Sequence, residues 1–182
     1  MHSVHDVNRQ WRLARRPVGM AKPSDFAWGE DRIPVPRQGQ VVVRCEYLSI
    51  DPGSRVWMGL TDTAAAAQPI GSVMRGIATG TVIVSRCEAY PEGCTVQGLL
   101  GWQEYAVVDG EDATLWRAHG WSSTSPEVRM TLCGHVGLAA YFGLIEIGGA
   151  HTGDTLVVSS AAGAVGSLAG QIGKLRGCRV VG

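Results

Sequence analysis

The stretch that most limits what this chain can fold into is Val157 to Ser167, VVSSAAGAVGS. It is a short apolar run, then a turn of small residues, then a segment with helix-forming composition that opens on glycine. Small residues at such a strand-to-helix turn let the backbone approach a pyrophosphate, whose charge the helix N-terminus holds. The spacing of Ala161, Gly163 and Gly166 follows G-x-G-x-x-G with alanine in the first glycine position. Around it, His151 to Asp154 reads as a turn, Thr155 to Ser160 as a buried strand, and Gly163 to Leu175 as a helix stopped by Gly177. Cys178 to Val181 then reads as a second buried strand. Strands with no polar alternation predict a parallel sheet covered on both faces, so this end of the chain reads as one β-α-β crossover that begins a doubly wound domain.

The earlier part has another texture. Val7 to Arg16 reads as a strand at a sheet rim, punctuated by Pro17 and Pro23. Arg15 and Arg16 there suit either a phosphate or, preferably, a solvated surface. Gln40 to Leu48, QVVVRCEYL, is a clear strand that ends where Asp51-Pro52 stops the ladder. Gly53 to Leu60 suits a short helical turn, and the alanine-rich Thr61 to Gln68 suits a helical turn or a loop. Thr81 to Arg86 and Gly101 to Val108 read as strands, with a turn at Tyr90 to Gly93. Short strands separated by glycine and proline predict a compact β-barrel over about the first 115 to 125 residues. From Pro126 the pattern becomes helical: a helix start runs through Val128 to Leu132, and Gly137 to Ile147 should be a buried helix with Tyr141 and Phe142 in the core. The predicted domains are therefore 1–125 and 126–182.

Composition narrows the function classes. The formal net charge is +0 and charged residues make up 18% of the chain, so no basic surface for nucleic acid is indicated. Five scattered cysteines (Cys45, Cys87, Cys94, Cys133, Cys178) form no C-x-x-C pair, which argues against a disulfide framework or structural zinc and for a reducing cytosol. Neither a signal peptide nor a membrane-spanning run is expected.

In this order, five stretches carry a resemblance: LSIDPGSRVWM (Leu48 to Met58), IGSVMRGIATGTVIVSR (Ile70 to Arg86), GWQEYAVVDG (Gly101 to Gly110), GLAAYFGLIEIG (Gly137 to Gly148) and Val157 to Gly182. The chain resembles the medium-chain dehydrogenase/reductase superfamily, in its zinc-independent branch of NADP-dependent alkenal/one oxidoreductases, which contains prostaglandin, leukotriene and curcumin-type reductases. The resemblance implies a GroES-like β-barrel followed by the first β-α-β unit of a Rossmann domain, with a small enone or enal substrate bound in the cleft between them. It implies NADPH as hydride donor and no metal, with Ala162, Gly163, Ala164, Val165 and Gly166 lining the pyrophosphate. Asp51, Pro52 and Arg55 would sit near the nicotinamide end, and His135, Val136 and Gly137 would flank the nicotinamide. Arg55 in a salt bridge with Asp51 or another carboxylate is an equal alternative.

Zinc chemistry needs thiolate and imidazole ligands in tetrahedral geometry. Here the strand holding Cys45 runs into Asp51-Pro52, and Gly71, Ser72, Val73 stand where the zinc-dependent relatives carry Gly-His-Glu. Three departures from the branch bear on catalysis. Gly53 replaces a tyrosine often found after Asp-Pro, the run Ala64 to Ala67 replaces another, and Cys94 falls where Gly-Asp usually closes a turn. Tyr47 and Tyr105 are better explained by strand packing, so no catalytic hydroxyl is assigned. Two strands give only part of a nucleotide crevice, and the residue that reads the ribose 2′ position belongs at or beyond Gly182. The expectation is therefore a fragment of a longer reductase or one half of a split protein, inactive alone, with a second copy or a partner covering the sheet edge. A noncatalytic binding protein and a quinone reductase of the same fold are the alternatives.

Overall fold

A computed structural model describes residues 7–59, 67–117 and 124–182. The chain divides into two compact units, Met1–His119 and Gly120–Gly182.

The first unit is antiparallel. Strand β1 (Val7–Leu13) pairs with β2 (Phe26–Arg32) as a ribbon, with Trp11 opposite Trp28 and their rings meeting edge-on at 5.0 Å. The larger sheet holds β3 (Gln40–Leu48), β4 (Ala78–Ser85), β5 (Thr95–Gly98), β6 (Tyr105–Asp109) and β7 (Trp116–Arg117), in the order β6-β3-β4-β5-β7. The β-branched run Val41, Val42, Val43 is fully buried because β3 lies inside this sheet, paired with β4 on one side and β6 on the other. Val41 and Val43 pack with Val82, Val96, Leu100, Ala106 and Leu115 in one cluster. Apolar burial of this kind is the dominant driving force for the fold.

Hydrogen bonds fasten the ribbon to the sheet. The buried Asn8 side chain imitates a strand: its Nδ2 donates to the Tyr105 carbonyl at 2.8 Å, and its Oδ1 accepts from the Tyr105 N–H at 2.9 Å. Trp11 N–H donates to the Trp102 carbonyl at 2.9 Å, and Leu13 N–H to that of Ser72 at 3.1 Å. Beneath them Leu13, Met58 and Met74 form a second cluster with Phe26 and Trp102, whose rings stack at 5.6 Å. Met58 comes from the helix α1 (Gly53–Met58), which follows Asp51-Pro52 as expected.

Several sequence expectations need correction here. The first strand ends at Leu13 rather than Arg16, and Arg15 and Arg16 are not simply solvated: Arg15 pairs with Asp25, and Arg16 donates to three backbone carbonyls. The fourth strand begins at Ala78, three positions before Thr81, while Gly101–Glu104 is loop ahead of β6. Tyr47 is 42% exposed, so packing does not explain it. Most of Thr61 to Gln68 lies outside the described residues.

The second unit starts with α2 (Pro126–Leu132) and α3 (His135–Tyr141), and the chain continues from α3 into a π-helical turn, Phe142–Ile147. Pro126 occupies the first helical position, as its fixed φ favours. The expected buried helix is therefore longer at its start and wider at its end. It is also not buried all round: Tyr141 and Phe142 are 41% and 50% exposed and contact each other edge-on. Within α3 and the π-helical turn the buried residues are Val136, Gly137, Ala140 and Leu144, and Val136 and Ala140 pack against Leu168. The run Pro126–Ile147 has a mean hydropathy of 1.4 and, against expectation, is long and apolar enough for a membrane span by composition; extended backbone at Gly134 divides it.

Strand β8 (Thr155–Val157) pairs in parallel with β9 (Arg179–Val181), and helix α4 (Ala164–Leu175) crosses between them. The parallel crossover is as expected, but the strands are shorter and less covered: Val157 is 75% exposed. Leu156 and Val180 turn toward α4, where a Cβ on Gly173 would come within 2.6 Å of the Leu156 side chain. Gly177, with φ 81°, ends the helix as expected, and Cys178 N–H closes it on the Gly173 carbonyl at 2.9 Å.

Candidate functional site

The cradle is built from the turn upward. Ser160 adopts φ 52°, which is rare for a residue with a side chain and turns the backbone sharply after β8. Its carbonyl accepts the Gly163 N–H at 2.8 Å, and Gly163 caps α4 with extended backbone. The helix then rises past the same carbonyl. A Cβ on Gly166 would stand 2.3 Å from the Ser160 oxygen, so only glycine permits the approach. Ala161 fits the first glycine position of the fingerprint, and its methyl occupies the space that a Cβ on Gly182 would enter at 2.3 Å.

No side chain caps α4, so the N–H groups of Ala164, Val165 and Gly166 head the helix without intrahelical acceptors. Ala162, Gly163, Ala164 and Val165 are exposed. Exposed amides at the positive end of a twelve-residue helix are suited to an anionic oxygen, and the surrounding small side chains leave the backbone accessible. The residues present thus fit a dinucleotide pyrophosphate.

The other candidates differ in character. His135 is exposed at the start of α3. Val136 and Gly137 are buried, Val136 in the cluster with Ala140 and Leu168, and Gly137 beneath α2. A Cβ on Gly137 would lie 1.9 Å from the Leu132 carbonyl oxygen, so packing by itself requires glycine there. In the first unit, the Asp51 carbonyl accepts the Ser54 N–H at 3.0 Å and that of Pro52 accepts the Arg55 N–H at 3.0 Å, which starts α1. Arg55 donates Nη2–H to the Gly19 carbonyl at 3.1 Å. A Cβ on Gly53 would meet nothing within 4 Å, so the structure leaves open space at this position.

Among the described residues no group of three or more His, Cys, Asp or Glu side chains is placed to hold a metal ion. Burial, with a smaller contribution from Glu46, pushes the Cys45 thiol up to about 12, so in the metal-free protein it stays protonated at neutral pH. Sequence reasoning missed Arg16, whose bonds to the α1 end and to Gln68 span 42 to 52 positions of chain.

Residues 9–115 match the family described as the N-terminal domain of oxidoreductase. The chain belongs to that family. It is 41% identical over 175 residues to the NADPH-dependent curcumin reductase of Escherichia coli, covering 96% of this chain and 50% of that protein. It is 38% identical over 175 residues to prostaglandin reductase 1 of Sus scrofa, covering 96% and 51%. Among solved structures, CurA from Vibrio vulnificus superposes with a TM-score of 0.85 at 42% identity, covering 95% of this chain and 50% of that one. The same protein in complex with NADPH gives 0.80. These relatives place the chain in the zinc-independent alkenal/one oxidoreductase branch of the medium-chain dehydrogenases/reductases, as its sequence resemblance implied. The chain spans about half the length of the curated relatives it matches.

Proposed function

We propose that the whole protein is an NADPH-dependent reductase of the carbon–carbon double bond in α,β-unsaturated aldehydes and ketones. The observation that carries this reading is the identity of about two residues in five with the E. coli curcumin reductase, which runs through both units and therefore includes the cradle. In this reading the ribbon and five-stranded sheet are a GroES-like barrel, and β8, α4 and β9 are the first β-α-β unit of a Rossmann domain.

Ala162 to Gly166 bind the pyrophosphate through the exposed amides of α4. Asp51, Pro52 and Arg55 are assigned to the nicotinamide end, and His135, at the start of α3, to the nicotinamide as well. Val136 and Gly137 act one layer back, setting α3 in place through their packing. When bound, NADPH supplies a hydride to the β-carbon of the enone, and the protein's part is to orient the two and to hold water away. Arg55 belongs to the short helix α1, and the Asp51 carbonyl accepts the Ser54 N–H that starts it, so the backbone around both is held by hydrogen bonds. The substrate is a small molecule and the setting cytoplasmic, with a second copy or a partner covering the β8–β9 edge.

The test is turnover by the complete gene product. Oxidation of NADPH at 340 nm is followed with a panel of enones, enals and quinones, with NADH in parallel. Saturable enone or enal turnover preferring NADPH is expected. Turnover with quinones alone, or with nothing while NADPH still binds, would overturn the proposal in favour of a quinone reductase or a noncatalytic binding protein.

A further inference from the structure

Helix α1 is six residues long, too short to hold its place by its own hydrogen bonds. Its last carbonyls lack intrahelical donors, as at any helix end. One side chain from a distant part of the chain supplies the donor to the last of them, on Met58. Arg16 Nη1 donates to the Met58 carbonyl at 3.1 Å and to that of Gly59 at 3.3 Å, while its Nη2 donates to the Gln68 carbonyl at 3.0 Å. The acceptor at position 68 is itself immobilised. Gln68 is 1% exposed; its N–H donates to the Trp57 carbonyl at 2.9 Å, its Nε2 to that of Val73 at 3.1 Å, and its Oε1 accepts the Arg75 N–H at 2.9 Å. A reciprocal tie runs the other way, since Arg55 of α1 donates to Gly19, three residues past Arg16. Two arginines thus cross between the same two segments, each ending on backbone oxygen.

We propose that Arg16 is a positioning residue for the reduction. It fixes α1, and through α1 the Asp51, Pro52 and Arg55 assigned to the nicotinamide end, without touching substrate or cofactor itself. This rests on the reductase reading above. A planar, permanently charged fork suits three carbonyls on two segments, and the cation also lies at the negative end of the helix dipole. An ammonium at this position would keep the charge but could not span both acceptors with fixed geometry.

The experiment uses the complete gene product with R16M, R16K and R16A. A displacement of order 1 Å at the α1 end is expected to lower enone kcat/KM in R16M on the order of tenfold to a hundredfold. NADPH affinity should fall by clearly less than enone kcat/KM, because the pyrophosphate cradle belongs to the other unit and only the nicotinamide end is disturbed. R16K should recover part of the loss, and millimolar guanidinium ion should restore part of the R16A activity. Hydrogen exchange at the Gly59 and Gln68 amides should quicken in R16M. If R16M fails to fold, R16K and guanidinium rescue of R16A carry the same comparison. Enone kcat/KM within twofold of wild type in folded variants, or an equal loss of NADPH affinity, overturns the inference. A wild-type protein that turns over no enone overturns the reductase reading instead, and the catalytic role of Arg16 with it.

Discussion

Gly166 passes the Ser160 carbonyl so closely that a Cβ would stand 2.3 Å from the oxygen and 2.9 Å from its carbon. Both neighbours are backbone, so neither can swing aside as a side chain would. G166A is therefore expected to push α4 away from the turn, at a cost of about 1–3 kcal/mol typical of overpacking. Fluorescence titration should show NADPH affinity lowered by at least tenfold. G143A is the control, because a Cβ there meets nothing within 4 Å. Equal NADPH affinity in G166A and wild type would mean that the turn does not form the pyrophosphate cradle.

Asp25 gives a prediction in pH. Its carboxylate is almost fully buried and accepts Arg15 Nε–H at 2.7 Å and the Lys22 N–H at 2.8 Å. The Arg15 bond first, and the Lys22 amide second, hold its pKa below the ordinary value. A carboxyl whose folded pKa is lowered contributes stability that is fully present above its unfolded value of about 3.9 and is lost as pH falls through the lower folded value. D25N should thus be less stable than wild type at pH 7. Urea midpoints should show the gap holding down to about pH 5 and closing below about pH 4. A gap that widened on acidification would contradict this account of Asp25.

Parts of this architecture were legible because local pattern and tertiary setting agree. QVVVRCEYL predicts β3 to the residue, since a β-branched run needs burial on both faces and β3 lies inside its sheet. The helix after the cradle was expected from Gly163 and begins at Ala164, with Gly163 as its cap. Strand β2 was not legible: FAWGEDR has a central glycine and three charges, and it is a strand only because its register places Trp28 on Trp11 and Asp31 on Asn8. Strands β5 and β7 have four and two residues, below what alternation can reveal. Tyr141 and Phe142 looked like core because they are apolar, yet burial depends on what lies opposite. At the candidate site local pattern showed the glycine-spaced turn before α4 and the Asp51-Pro52 start of α1, both of which the structure contains. The bonds of Arg16 were not legible, because a backbone carbonyl 42 or more residues away leaves no mark on sequence pattern.

Cys45 gives a prediction in thiol reactivity. Its thiol, pushed up to about 12 by burial, is essentially all protonated at pH 8, and the thiol form does not alkylate. After brief treatment of the native protein with iodoacetamide at pH 8, peptide mass spectrometry should find Cys45 unmodified. In urea the residue should label readily. Rapid native labelling would show that β3 opens locally or that the thiol is ionised, and would reopen a metal-ligand role.

His135 and Gly137 were grouped together by resemblance, yet they separate by mechanism. Gly137 lies where a Cβ would overlap the Leu132 carbonyl at 1.9 Å, so G137A must pry α2 from α3. It is expected to lower the unfolding temperature by several degrees, consistent with overpacking of about 1–3 kcal/mol. Any weakening of NADPH binding would follow from that disturbance. His135 projects from the same turn of α3 but is exposed, so H135A should shift the unfolding temperature less than G137A does while lowering NADPH affinity severalfold. Differential scanning calorimetry and fluorescence titration on the two variants separate the roles. If H135A binds NADPH as wild type does, the nicotinamide is not flanked from this helix; if G137A melts as wild type does, the α2–α3 contact does not require glycine.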